Sequence, residues 1–123
     1  MTIEKKTNYG NITVYQEAVS ALAGTAIAEC YGVVGMASKQ TLKDGWAELL
    51  KRDSYTKGVV VKNTDKGLSV DLYIIIGFGI KISEAVYEAQ KKVKYVLEKS
   101  LSLEVANVNV FVQGVRNDID AED

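Results

Sequence analysis

Apolar residues recur at intervals of three and four through residues 81–100, which is the pattern of an amphipathic helix. The apolar stripe of this helix consists of Ile82, Ala85, Val86, Ala89, Val93, Val96 and Leu97. Apolar residues alternate with other residues at 68–76 and 104–112, which predicts a strand on each side of the helix. The sequence therefore predicts a unit of strand, glycine turn, helix and strand, against which the rest of the chain packs.

The two predicted strands each have an apolar face and a mixed face, because successive side chains of a strand point to opposite sides. In the first strand the predicted core residues are Leu68, Val70, Leu72, Ile74 and Ile76, and the opposite face carries Ser69, Asp71, Tyr73 and Ile75. In the second strand we expect the helices to be faced by Ala106, Val108, Val110 and Val112, with Val105, Asn107, Asn109, Phe111 and Gln113 opposite.

The sequence of the N-terminal half predicts shorter helices and strands. In chain order these are a strand at 11–14, a helix at 16–30, an extended segment at 31–36, a short helix capped by Asp44, a polar loop at 51–57, a strand at 59–62 and a hairpin turn at 63–67. The short helix is expected to place Trp46, Leu49 and Leu50 on one face.

A chain of 123 residues is long enough for one hydrophobic core and favours a single domain. We expect a flexible N-terminus at residues 1–9, one domain at 10–115 and a disordered acidic tail at 116–123. The predicted class is α+β, with a small mixed or antiparallel sheet of about four strands and two main helices packed on one face.

Composition narrows the classes of partner. The 15 basic and 16 acidic residues give a net charge of −1, so there is no general attraction to nucleic acid or anionic lipid. The apolar runs are too short to cross a bilayer, and direct membrane insertion is not expected. The N-terminus lacks the apolar segment of a signal peptide, and the one cysteine cannot form an internal disulfide, so we expect a cytoplasmic protein.

The residue types give little support for catalysis. The chain contains no histidine, which removes the commonest general base and most catalytic zinc sites. Cys30 lies on the apolar stripe of the first helix, where a structural thiol is the simpler interpretation. The spacing of Asp65, Asp71 and Glu104 matches no known metal-binding loop. We therefore expect no enzyme activity, no catalytic residues, no metal and no cofactor.

The turn between the first strand and the long helix is a weak candidate for anion binding. Gly77, Gly79 and Lys81 lie where backbone amides and the helix dipole can hold a phosphate. The segment lacks the third glycine of a dinucleotide fingerprint and the Gly-Lys-Ser/Thr of a phosphate loop. A tight strand-to-helix turn is the simpler interpretation.

Two surfaces are candidates for protein contacts. The first is the mixed sheet face, where exposed aromatic and amide residues are typical of an interface: Tyr73, Ile75, Asn107, Asn109 and Phe111. The alternative is that the short Trp46 helix or the loop at 51–57 covers this face. The second surface is the lysine-bearing side of the long helix, with Lys91 and Lys94, although a charged helix face is often only solvated.

Several stretches resemble the alkaline shock protein family of Gram-positive bacteria, which includes general stress proteins and smaller YloU-like members. They are NITV at 11–14, YGVVGM at 31–36, KGVVV at 57–61, VDLYIIIGFG at 70–79 and VNVFVQGV at 108–115. Together these stretches extend over most of residues 11–115 in the order that the family has, and the last motif is the most specific. The short tails resemble the YloU-like members.

The resemblance implies a non-enzymatic cytoplasmic protein of cell-envelope homeostasis and stress response, with no catalytic residues to carry over. It also implies protein partners, among them a small membrane anchor protein, and self-association. The leading interpretation is a scaffold or adaptor. Two alternatives stay open: a small nucleic-acid-binding module that uses the aromatic sheet face, which the charge disfavours, and an anion-binding accessory subunit that uses the turn at 77–81.

Overall fold

The computed structural model describes residues 2–37, 49–50 and 57–116. Its helices and strands are β1 (Thr2–Thr7), β2 (Gly10–Tyr15), α1 (Gln16–Ala28), β3 (Val33–Ala37), β4 (Leu49–Leu50), β5 (Val59–Thr64), β6 (Gly67–Gly77), α2 (Ile82–Leu101) and β7 (Val105–Arg116). The predicted short helix around Trp46, apart from Leu49–Leu50, lies outside the described residues. So do most of the predicted loop at 51–57 and most of the predicted tail at 116–123.

Strand β6 is the centre of the main sheet. On one side β7 runs parallel to it, and on the other side β5 and β3 pair antiparallel with its first and last parts. The order is β4-β3-β6-β5, with β7 paired to β6, and β1 and β2 form a separate two-stranded sheet. The class is α+β, as predicted, and the main sheet is mixed because a helix connects β6 to β7.

The core lies between one face of this sheet and the two helices. Leu68, Val70, Leu72, Ile74 and Ile76 of β6 are all buried, as their alternation predicts. The helices contribute small and branched residues to the same cluster, namely Val19, Ala23, Ala26 and Ile27 of α1 and Ala85, Ala89, Val93 and Leu97 of α2. Helix α1 packs against α2, so both cover the same face.

Helix α2 ends without glycine or proline. Ser102 adopts a left-handed conformation with φ 54°, and its N–H donates to the carbonyl of Glu98 at 2.9 Å. This bond satisfies one of the last carbonyl groups of the helix. The chain then returns within three residues to begin β7 beside β6.

The sequence predicts a flexible N-terminus at residues 1–9, whereas the structure has a strand in this segment. Thr2–Thr7 forms β1, which pairs antiparallel with β2 from Thr2 opposite Tyr15 to Thr7 opposite Gly10. Ile3 is buried in the core, and the remaining side chains of the strand are mostly exposed. A single apolar anchor is too weak a pattern to predict a strand, but backbone pairing with β2 supplies the order.

Two further predictions about strands were wrong. Val105 is buried in the core and Ala106 is exposed, the reverse of the prediction, because the register of β7 shifts between Val105 and Asn107. One extra residue in a strand moves the neighbouring side chains to the opposite face. Leu49 and Leu50 pair with Ala37 and Met36 as strand β4, and not as the end of a short helix.

Candidate interaction surface on the outer face of the sheet

The outer face is the side of β6 and β7 that points away from the helices. We define it as Ser69, Asp71, Tyr73 and Ile75 of β6 with Asn107, Asn109 and Phe111 of β7. The parallel register places three residue pairs side by side, Ser69 with Asn107, Asp71 with Asn109 and Tyr73 with Phe111. The same order of two polar residues and one aromatic residue therefore runs along both strands.

Two aromatic rings dominate one end of the outer face. The rings of Tyr73 and Phe111 stack with centroids 4.9 Å apart and planes 16° apart. Tyr73 is only 8% exposed, whereas Phe111 is 42% exposed. Ile75 was also predicted to belong to this surface, but at 2% exposure it offers almost no accessible area. Phe111 is thus the exposed apolar group of the outer face.

A ladder of polar side chains continues from the aromatic pair. The Ser69 hydroxyl donates to Asn107 Oδ1 at 2.6 Å, and Asn109 Nδ2 donates to Asp71 Oδ1 at 2.9 Å. Asn109 Nδ2 also lies 3.4 Å from Asn107 Oδ1. These bonds hold the polar side chains of the outer face in fixed positions.

The electrostatics of the outer face keep Tyr73 neutral. Burial raises the pKa of the Tyr73 phenol above its ordinary value, and the nearby Asp71 carboxylate raises it further, whereas Lys62 opposes the change. Lys62 belongs to β5 and lies opposite Ser69. The face therefore carries one carboxylate, amide groups and a neutral aromatic pair. A carboxylate beside the rings disfavours base stacking by a nucleic acid, whose phosphates it would repel.

The turn at 77–81 has the wrong charge balance for an anion. A cavity of about 280 Å³ lies beside it and is lined by Tyr31, Gly79, Ile80, Lys81, Glu84, Ala85 and Glu88. Lys81 Nζ is 3.8 Å from Glu84 Oε2, and among the residues that line the cavity Lys81 is the one basic residue beside two acidic residues, Glu84 and Glu88. Gly77 N–H already donates to the Gly32 carbonyl at 2.9 Å, and Gly79 provides the positive φ of 87° that the turn requires. These observations favour the turn interpretation.

The lysines of α2 lie next to carboxylates. Lys91 Nζ is 3.4 Å from Glu88, and Lys94 Nζ is 3.6 Å from Glu98. Lys91 also lies over the Tyr87 ring, 4.7 Å from its centroid. Pairs this exposed contribute little to stability, but they reduce the net charge that the helix offers an acidic partner.

The remaining candidates for chemistry are dispersed. Cys30 is part-buried, its thiol donates to the Ala26 carbonyl at 3.4 Å, and burial raises its pKa. A raised pKa disfavours the reactive thiolate. Within the ranges that the structure describes, no three Asp, Glu or Cys side chains form a group suited to a metal ion. Neither described helix has the length and apolar character to cross a bilayer.

The sequence analysis identified Tyr73, Asn107, Asn109 and Phe111 but missed that Ser69 and Asp71 belong to the same ladder. A usable signal existed, because residues 69–73 and 107–111 repeat the same spacing of polar, polar and aromatic residues. Parallel strands in that register place like positions side by side. The signal depends on register, which the irregularity at Ala106 hides.

A family model matches residues 4–117, and it describes the family of alkaline shock protein 23, with a cell envelope-related function. The chain belongs to this alkaline shock protein family. The resemblance in the sequence motifs is therefore confirmed, and membership places the chain in a family with a cell envelope-related function. The matched residues contain every described element from β2 to β7.

Two relatives match almost end to end. The chain is 44% identical to the protein YloU of Bacillus subtilis strain 168 over 94% of the chain and 97% of the relative. It is 43% identical to Spy1614 of Streptococcus pyogenes serotype M6 over 94% of the chain and 96% of the relative. YqhY of Bacillus subtilis is 26% identical over 95% of the chain and 85% of the relative. No solved structure matches the chain.

Proposed function

We propose that this member of the alkaline shock protein family is a non-enzymatic scaffold or adaptor that acts in cell-envelope homeostasis and stress response through protein–protein contacts. In this proposal the protein works in the cytoplasm and reaches the membrane through a protein partner. The observation that carries the proposal is the exposed Phe111 ring, which rests on a buried tyrosine beside an ordered row of polar side chains.

The physics of interfaces supports this choice of surface. Binding energy concentrates in a few residues, and aromatic side chains on a rigid support are favoured among them. Tyr73 supports the Phe111 ring from the sheet, and the neighbouring polar ladder offers amide groups whose positions are already fixed. A partner would gain apolar contact from Phe111 and orientation from Asn107 and Asn109.

The test compares the proteins that the tagged full chain captures after crosslinking in native cytoplasmic and membrane fractions. We expect Phe111→Asp to capture at least about tenfold less of the specific partners, because the substitution removes the apolar contact and puts a charge in its place. The matched control is Tyr9→Asp, which places the same charge on a fully exposed aromatic position in the turn between β1 and β2.

Each result of this comparison decides whether the outer face is the binding surface. Loss of the same partners with Phe111→Asp and retention with Tyr9→Asp supports the outer face. Equal capture by all three proteins rejects it, and loss caused by a Lys91→Glu/Lys94→Glu pair would place the contact on α2. Circular dichroism and thermal unfolding of each variant establish that a lost contact reflects the surface and not the fold.

A further inference from the structure

We propose that the outer face binds an extended, unfolded segment of a partner protein, and that Asn107 and Asn109 recognise the backbone of this segment. The inference rests on the proposed function and narrows it, because it names the kind of protein segment that the outer face takes. The segment carries an apolar side chain for Phe111 and a basic side chain for Asp71. The partner thus contributes a short linear motif and not a folded surface.

The polar ladder uses only part of the hydrogen-bonding capacity of its side chains. Asn107 accepts through Oδ1, whereas Asn109 donates through Nδ2 to Asp71 Oδ1 and to Asn107 Oδ1. In the bonds between described residues, Asn107 Nδ2, Asn109 Oδ1 and Asp71 Oδ2 take no part. The outer face therefore offers one donor amide, one acceptor amide oxygen and one carboxylate oxygen on side chains that the ladder already holds in place.

The two free amide groups match the two polar groups of a peptide backbone. Asn107 Nδ2 can donate to a backbone carbonyl, and Asn109 Oδ1 can accept from a backbone N–H. The backbone inside a helix or a sheet already uses these groups in its own hydrogen bonds, so a folded surface presents few of them. An extended segment has both groups free, and the ordered side chains of the ladder reduce the entropy lost when it binds.

The spacing of the two asparagines fits an extended chain. Asn107 and Asn109 lie two residues apart in the regular part of β7, on the same face of the sheet. Side chains in this arrangement repeat at about 6.6 to 6.8 Å, and the backbone groups on one side of an extended peptide repeat at the same distance. A segment that runs along β7 therefore stays in step with the asparagines, and about five of its residues reach from Asn107 to Phe111.

The charges and the exposed ring define the side chains of the segment. Phe111 is 42% exposed and offers contact to an apolar side chain. Asp71 is in none of the ion pairs of the described residues, so its free oxygen can pair with a lysine or arginine. Asp71 lies beside Asn109, two residues before Phe111, which places the basic and apolar side chains two positions apart. Lys62, opposite Ser69 at the other end of the face, disfavours a second basic side chain.

The test selects peptides that bind the immobilised full chain from an mRNA-displayed library of random sequences about twelve residues long, which covers the site with flanks on both sides. A counter-selection on the Asn107→Ala/Asn109→Ala double variant removes peptides that bind elsewhere. We expect the enriched peptides to share an apolar residue two positions from a lysine or arginine. In fluorescence anisotropy they should bind the wild type at least about tenfold more tightly than the double variant.

The matched control for the double variant is Asn11→Ala, which removes an exposed asparagine from β2 and should bind the peptides like the wild type. Asn107 and Asn109 are also exposed, so the double variant should fold, and urea unfolding checks this. Weaker binding by a folded double variant, with unchanged binding by the control, assigns the contact to the two amides of the outer face.

Methylation of the peptide backbone separates recognition of the backbone from recognition of side chains, and it needs only the wild-type protein. An enriched peptide is resynthesised with N-methyl groups on alternate amides, in two complementary forms. Because N–H groups alternate in direction along an extended chain, only one form blocks the amides that face Asn109. We expect that form to bind at least about tenfold more weakly and the other to stay within about threefold of the unmodified peptide.

Two results overturn the inference. One is a selection that enriches no peptide whose binding needs Asn107 and Asn109, which would leave the outer face to a folded surface or to a ligand of another class. The other is an enriched peptide whose two methylated forms bind alike. Neither result depends on capture in cell fractions. If Phe111→Asp still loses its partners there, a failed selection removes this inference alone, whereas partners retained by Phe111→Asp would count against the proposed function.

Discussion

The Phe111 ring stacks on the Tyr73 ring across the parallel strands β6 and β7, with 4.9 Å between centroids. The two rings have different roles because their exposure differs, with Tyr73 buried and Phe111 open on one side. The buried Tyr73 ring supports the Phe111 ring, and the Phe111 ring is the exposed part of the pair. Stability and binding should therefore depend on these two residues to different extents.

Replacing each ring by alanine should separate these roles. We expect Tyr73→Ala to lower the free energy of unfolding by about 3 kcal/mol, as for other buried aromatic residues. Phe111→Ala should lower it by only about 1 kcal/mol, which is the order of one stacked pair. Urea unfolding measures both, with Phe78→Ala as a control at a position that is 71% exposed and expected within about 0.5 kcal/mol of the wild type. Equal losses for Tyr73→Ala and Phe111→Ala would contradict the assignment.

Alkaline pH should weaken the fold through Tyr73. Its pKa is raised in the folded state, mainly by burial, so the folded protein favours the neutral phenol. The resulting stabilisation is present below the ordinary tyrosine pKa of about 10 and is lost as the pH rises through the folded-state pKa. The free energy of unfolding, measured in urea from about pH 8 to about pH 11, should fall less steeply for Tyr73→Phe than for the wild type. Curves that stay parallel would show that Tyr73 does not titrate as described.

Two glycines with positive φ should respond differently to alanine. Gly67 has φ +124°, and an added Cβ would lie 2.6 Å from the Glu104 carbonyl oxygen. Gly79 has φ +87° and has no atom within 4 Å of such a Cβ. We expect Gly67→Ala to cost about 3 kcal/mol, from backbone strain and a clash, and Gly79→Ala about 1 kcal/mol from strain alone. Thermal or urea unfolding measures the pair. A smaller loss for Gly67→Ala would mean that β6 does not approach the start of β7 this closely.

The apolar stripe of α2 should account for much of the stability. Leu97 is fully buried between the helix and the sheet, and Leu97→Ala should cost about 3 kcal/mol through lost burial and the cavity left behind. Tyr95 lies on the solvent side of the same helix, and Tyr95→Ala should cost less than about 1 kcal/mol. Denaturant midpoints with an unchanged slope would measure both. Similar costs at the two positions would contradict the packing of α2.

The strongest periodic patterns predicted their elements well. The stripe of α2 and the alternation in β6 are long and rich in large apolar residues, so the sequence carries the signal locally. The hairpin between β5 and β6 followed from turn residues at 63–67. The α+β class followed from the order of these elements.

The errors arose where pairing, and not local sequence, decides the structure. Strand β1 has one buried apolar residue, Ile3, and is ordered by its bonds to β2. The faces of Val105 and Ala106 depend on a register shift that only the neighbouring strand reveals. The same register sets the outer face, so Tyr73 and Phe111 could be predicted to share it, whereas their stacking and the Asp71–Asn109 bond could not.

The most direct test of the central claim compares capture by the wild type, Phe111→Asp and Tyr9→Asp after crosslinking in native cytoplasmic and membrane fractions. If the protein works through the outer face, Phe111→Asp remains folded and loses the partners that the wild type and Tyr9→Asp both retain. If the folded Phe111→Asp protein keeps those partners at wild-type levels, the outer face is not the working surface of this protein.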